Sequence, residues 1–170
     1  MNLKLSAWSA VIAAILVFPS VLIGILYSLF QSNSMYIIYT VMVLISTMFS
    51  LFIMLGYIEI AKLKKLKKLE ILMWIYFGVT IIYSIMFTVI SDSNLIYAIS
   101  PLILMGIIAI IAGKEILKLK RYYGSIAKNI GILYIVNGIL MVTIILFGLS
   151  IFTGFVTLIL EAIFFFKVSK

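Results

Sequence analysis

The chain has 170 residues, of which 66% are hydrophobic and 11% charged, with a net charge of +8. Soluble domains run at about 45–50% apolar and about 25% charged, so this composition leaves too little polar surface for a water-soluble fold and points to the bilayer as solvent. Cysteine and histidine are absent, which excludes disulfides, thiol nucleophiles and the usual zinc and haem ligand sets.

At about 20 apolar residues per crossing, nearly the whole chain is needed for membrane spans. The expectation is one transmembrane domain over 1–170. A first apolar run covers 5–30 and is broken by Gln31-Ser32-Asn33-Ser34. No small-residue cleavage site follows it, so it reads as an uncleaved signal anchor. A second run covers 35–61 and enters the basic stretch Lys62, Lys64, Lys65, Lys67 and Lys68. Leu63, Leu66 and Leu69 recur every three residues there, a spacing that predicts continuation of the helix along the membrane surface. The third run, 71–90, stops at Ser91-Asp92-Ser93-Asn94, and the fourth covers 95–112. Pro19 is expected to kink the first helix, whereas Pro101, early in the fourth, is more easily tolerated.

After a second basic stretch, 113–129, the run 130–166 is uncharged except for Glu161. It is too long for one span and suits two short ones, with Gly148, Ser150 and Gly154 as the expected turn. Six spans put Lys4, both basic linkers, Lys167 and Lys170 on one side. All thirteen Lys and Arg residues are then accounted for, and Asp92 is the only charge on the other side. By the positive-inside rule that side is cytoplasmic and holds both termini. Trp8 and Trp74 lie one turn in from it, as an aromatic belt predicts.

The predicted fold is therefore all-α, a polytopic membrane protein of six transmembrane helices arranged as three helical hairpins. A partial repeat accompanies that arrangement. Glu59-Ile60-Ala61-Lys62-Leu63-Lys64-Lys65 ends the second helix, Glu115-Ile116-Leu117-Lys118-Leu119-Lys120-Arg121 ends the fourth, and Glu161-Ala162-Ile163 stands near the end of the sixth. Duplicated hairpins and independent convergence on cationic helix ends both account for it.

The lysines Lys62, Lys64, Lys65, Lys67 and Lys68 are candidates for contact with anionic lipid or a partner, each worth about 1 kcal/mol near an anionic surface. They also suit a plain topological anchor that neutralises a helix C-terminus. Glu59 and Glu115 have lysines three residues on and read as helical ion pairs. Glu161 has no basic residue within four positions. An ionised carboxylate there needs a partner on another helix or a water-filled cleft. Three readings stand: an ion pair to Lys114 or Lys128, a neutral hydrogen-bonded acid, or a proton or cation site. Asn137, one turn after Tyr134, reads either as an interhelical hydrogen bond or, with Glu161 and Tyr134, as a polar intramembrane site. Ser6, Ala10 and Ala14, and likewise Gly131 and Gly138, form small-residue stripes that allow close helix approach.

The basic linker followed by Gly131-Ile132-Leu133-Tyr134-Ile135-Val136-Asn137-Gly138-Ile139-Leu140, then Gly148 and a last helix ending Ala162-Ile163-Phe164-Phe165-Phe166, resembles the small archaeal membrane proteins of domain-of-unknown-function family 996. The resemblance covers roughly the last fifty residues. It implies an archaeal plasma membrane and carries over no activity or site residue.

No phosphate-binding glycine loop, paired catalytic carboxylates or nucleophile–base pair occurs. The expectation is a non-enzymatic, multi-pass plasma-membrane protein with no cofactor, no metal and no nucleic-acid partner. Its expected role is that of a structural or accessory subunit, surrounded by membrane lipids and packed against a membrane-protein partner or a second copy. The alternative is a small solute or ion transporter or channel using Glu161 and Asn137.

Overall fold

The computed structural model describes residues 3–89, 95–143 and 146–169, and every regular element among them is helical. Helix α1 is Leu3–Phe30, α2 is Asn33–Leu63, α3 is Lys67–Val89 and α4 is Leu95–Ile116. A 3₁₀ turn at Leu117–Leu119 and the one-turn α5, Lys120–Tyr123, lead into α6, Ser125–Val142, and α7, Phe147–Val168. Five of these helices, α1, α2, α3, α6 and α7, are long and apolar enough to cross a membrane. The backbone of α1 stays helical through Pro19. The expected turn at Ser91-Asp92-Ser93-Asn94 lies outside the described residues.

Two boundaries differ from expectation. The basic run does not extend α2, because the chain reverses at Lys65, which takes a left-handed φ of 55°. The Leu66 amide donates to Ala61 O at 2.8 Å and the Lys65 amide to Lys62 O at 3.1 Å. This is a Schellman C-cap with lysine in the position usually held by glycine. The reversal lets Leu66 pack on the core and buries Leu69 fully, while Leu63 stays exposed. The second difference is between α6 and α7: α6 stops at Val142 and α7 already begins at Phe147, before the expected turn at Gly148. Gly148, Ser150 and Gly154 are all helical residues of α7.

The helices follow one another around a ring. Helix α1 packs on α2, α2 on α3, α3 on α4, α4 on α6, α6 on α7, and α7 returns to α1. The expected hairpin partners do touch, but the most extensive interface is α4 against α6, which joins two of the expected hairpins. Glycines explain it. Gly106 and Gly113 lie seven residues apart on α4, as Gly131 and Gly138 do on α6, and seven residues make about two turns. The pairs meet in antiparallel register. A Cβ built on Gly113 would lie 2.7 Å from Gly131 O, and one on Gly138 would lie 2.5 Å from Gly106 O. Only hydrogen fits there, which brings the backbones within reach of weak Cα–H···O contacts. The stripe on α1 is used similarly. Ser6, Ala10 and Ala14 are buried, Ser6 Oγ donates to Phe52 O at 2.9 Å, and a Cβ on Gly56 would meet both Ser6 and Phe165.

The core gathers at the basic end. Tyr57 stacks on Phe164 with centroids 6.1 Å apart and meets Phe165 edge-on at 5.1 Å. Ile60, Leu69, Met73, Ile116, Leu119 and Ile130 are fully buried in the same cluster. The sequence repeat holds at Ile60 and Ile116, both buried, and breaks three positions on, where Leu63 is exposed and Leu119 buried.

Candidate functional site

Glu161 sits on α7 one turn before the aromatic core and is 2% exposed. Its register follows from the packing of α7: Thr157, Glu161, Phe164 and Phe165, at helical spacing, all face inward. Tyr134 Oη on α6 donates a hydrogen bond to the Glu161 carboxylate at 2.7 Å. The hydroxyl of Tyr57, on α2, interacts with the same carboxylate but is buried without a well-formed hydrogen bond. Three helices therefore bring polar groups to one point that sequence separation had concealed.

The expected ion pair is not how this carboxylate is accommodated. Lys114 and Lys128 are exposed, and the group that donates to Glu161 is the Tyr134 hydroxyl. A charge buried in an apolar setting costs several kcal/mol unless paired or hydrogen-bonded. One strong donor and one nearby hydroxyl are the compensation provided here.

Glu161 lines a cavity of about 200 Å³ inside the ring. Ser50 of α2, Tyr76 of α3, Tyr134 and Asn137 of α6, and Thr157 of α7 supply its polar wall, with Ile53, Met54 and Leu158 as apolar wall. The three residues singled out from the sequence, Glu161, Asn137 and Tyr134, thus share one cavity. Asn137 Oδ1 also accepts from Thr153 Oγ1 at 2.9 Å, which ties α6 to α7 as an amide between membrane helices is expected to do. A second cavity of about 290 Å³ adjoins the first on the side away from the basic end. Ser20, Ser46 and Ser150 line it, and it shares Ser50, Gly154 and Leu158 with the Glu161 cavity. Ser20 and Ser46 approach to 3.4 Å between their hydroxyls.

Sequence reading missed Tyr57, Tyr76 and the serines. Tyr57 and Tyr76 are two of ten tyrosines, and nothing in their local spacing separates an inward tyrosine from a lipid-facing one. Gly106 and Gly113 did carry a signal, since their separation of seven equals that of Gly131 and Gly138.

The lysines form no single cluster. Lys62 reaches Glu70 at 3.9 Å across the turn, and Lys64 Nζ lies over the rings of Tyr122 and Tyr123 at 5.1 and 5.4 Å. Lys65, Lys67 and Lys68 remain exposed. Glu115 pairs with Lys118 at 2.6 Å, as expected from the sequence.

Chemically, the cavity offers one carboxylate, hydroxyl donors and an amide. Among the described residues no group of three or more His, Cys, Asp and Glu side chains could hold a metal ion. The arrangement suits a guest that brings a proton or a single positive charge. No protein-family model, curated protein or solved structure matches this chain.

Proposed function

We propose that this chain is a six-span plasma-membrane carrier that binds a proton or a small polar or cationic solute at Glu161. The observation that supports it is a carboxylate 2% exposed, held by Tyr134 inside a polar-walled cavity. Ionisable groups at such depth are expensive and are usually retained for a pathway or a counter-ion. The buried aromatic cluster of Tyr57, Phe164 and Phe165 packs on the basic side of Glu161, which favours a carrier with a closed end over an open pore. The accessory-subunit reading drew on the short loops, on the lack of buried charge beyond Glu161 and on small-residue stripes available to a partner. Those on α1 and α6 are occupied within the chain itself.

In this proposal α4 is the sixth span, since 95–112 carries no charged residue, and both termini face the cytoplasm with the basic residues. The archaeal membrane implied by the C-terminal resemblance belongs to the same proposal. Single cysteines test the topology, because the chain has none of its own. Ser32→Cys and Thr143→Cys, at exposed positions, should react with an impermeant reagent added outside intact cells, and Ser125→Cys and Ser169→Cys should not. Outside labelling at position 169 would mean an odd number of crossings and end the six-span topology.

Glu161→Gln tests the function. It keeps shape and one acceptor while removing the charge. Proton or monovalent-cation flux into proteoliposomes under an imposed gradient should fall at least about tenfold, equivalent to about 1.4 kcal/mol, with the folded yield retained. A folded Glu161→Gln protein with unaltered flux would refute the carrier.

A further inference from the structure

We propose that the guest of the Glu161 cavity is a small organic monocation, an alkylammonium, which enters from the end opposite the basic linkers. This rests on the reading of the cavity as a solute site and names the class of solute. Four observations converge on it. Glu161 is the only charged residue in the cavity wall, so a guest that neutralises it must bring one positive charge.

The space is about 200 Å³, whereas an apolar cavity of about 150 Å³ already accepts a benzene-sized molecule. A proton or bare ion would occupy it only together with water. The wall is divided. Ile53, Met54 and Leu158 can cover an alkyl chain, while Tyr76 and Tyr134 add aromatic groups to the wall that holds the carboxylate, and rings together with a negative charge favour an ammonium group. Calcium takes six to eight oxygen ligands and magnesium near-ideal octahedral geometry. With one carboxylate and no cluster of acids among the described residues, the cavity is poorly equipped for either.

The route follows from the neighbouring space. The serine-lined cavity shares Ser50, Gly154 and Leu158 with the Glu161 cavity and extends away from the aromatic cluster. Its hydroxyls can solvate an ammonium group in transit. On the other side Tyr57, Phe164 and Phe165 separate the carboxylate from the lysines, whose charge would repel a cation arriving that way.

The test is a thermal-melting titration of the purified full-length protein in detergent with n-butylammonium chloride, against sodium chloride at equal ionic strength and against n-butanol. A saturable rise in Tm is expected with butylammonium alone. It should vanish in Glu161→Gln. In Tyr76→Leu, which leaves the carboxylate in place, the apparent Kd should weaken about fivefold, the equivalent of one cation–π contact of about 1 kcal/mol. Tyr76→Leu carries the test if the Glu161 variant does not fold. An equal shift with butanol, or a butylammonium shift that survives Glu161→Gln, overturns the proposal. A saturable shift with sodium alone, lost in Glu161→Gln, overturns the solute class and leaves the carrier standing. No response to any cation, with proton flux still dependent on Glu161, does the same. Loss of both the butylammonium shift and any flux dependence on Glu161 removes the proposal and the carrier together.

Discussion

Along α1 every buried residue lies between Ser6 and Ala14, and along α2 between Ile53 and Ala61. The stretches of the same helices nearer the opposite turn, 15–30 and 33–52, contain no buried residue. Both halves are strongly apolar, so hydrophobicity does not explain the difference. Along α1, what distinguishes them is side-chain size. The basic half of α1 presents Ser6, Ala7, Ser9, Ala10, Ala13 and Ala14 to its neighbours, whereas the other half carries exposed Ile15, Phe18, Leu22, Ile25 and Leu29. Lipid tails solvate Leu and Ile as well as a protein interior does, so large apolar residues gain little by turning inward. Small residues gain by letting backbones approach. Helices α1 and α2 are therefore tightly packed at the basic end and looser at the other, and the cavities lie where their tight half gives way.

The strongest test of that contrast uses the glycines. Gly138→Ala places a methyl group against Gly106 O and Ile110. It should lower stability in detergent by about 1–3 kcal/mol, the usual cost of overpacking. Gly148→Ala and Gly154→Ala meet nothing within 4 Å and should leave stability equal or raise it by about 0.4–1 kcal/mol, since alanine restricts the unfolded chain. Equal melting temperatures for Gly138→Ala and Gly148→Ala would mean that close backbone approach does not hold α4 to α6.

An effect of similar size is expected where the tight half meets the cavity. Tyr134→Phe removes the donor at 2.7 Å from Glu161 and should cost about 1–3 kcal/mol through the buried acceptor left behind. Tyr57→Phe removes a hydroxyl that has no well-formed hydrogen bond, and its melting temperature should move less. A larger loss for Tyr57→Phe would reverse the assignment of the two tyrosines. The smallest effect belongs to Thr153→Val, which breaks the bond to Asn137. Side-chain hydrogen bonds between membrane helices average about 0.6 kcal/mol, so its melting curve should shift only slightly.

Much of this molecule was legible in its residues. Composition set the membrane class, because apolar content is a sum over the chain and needs no coordinates. The apolar runs located the long helices along the chain, five of which are long and apolar enough to cross a membrane. The polar residues Tyr134, Asn137 and Glu161 stood out against an apolar background, and all three line one cavity. Tertiary structure decided the rest. Lys65 takes a left-handed conformation without glycine's freedom because the turn brings Leu66 and Leu69 to the core, a benefit that exists only once the helices have met. Gly148 and Gly154 lie inside α7 rather than in a turn, on the helix that sets Glu161 and Phe165 facing inward. The partner of Glu161 is a tyrosine 27 positions away rather than a lysine. In a chain so uniformly apolar, local pattern indicates which residues are polar, but only the rotation of each helix against its neighbours determines which of them meet.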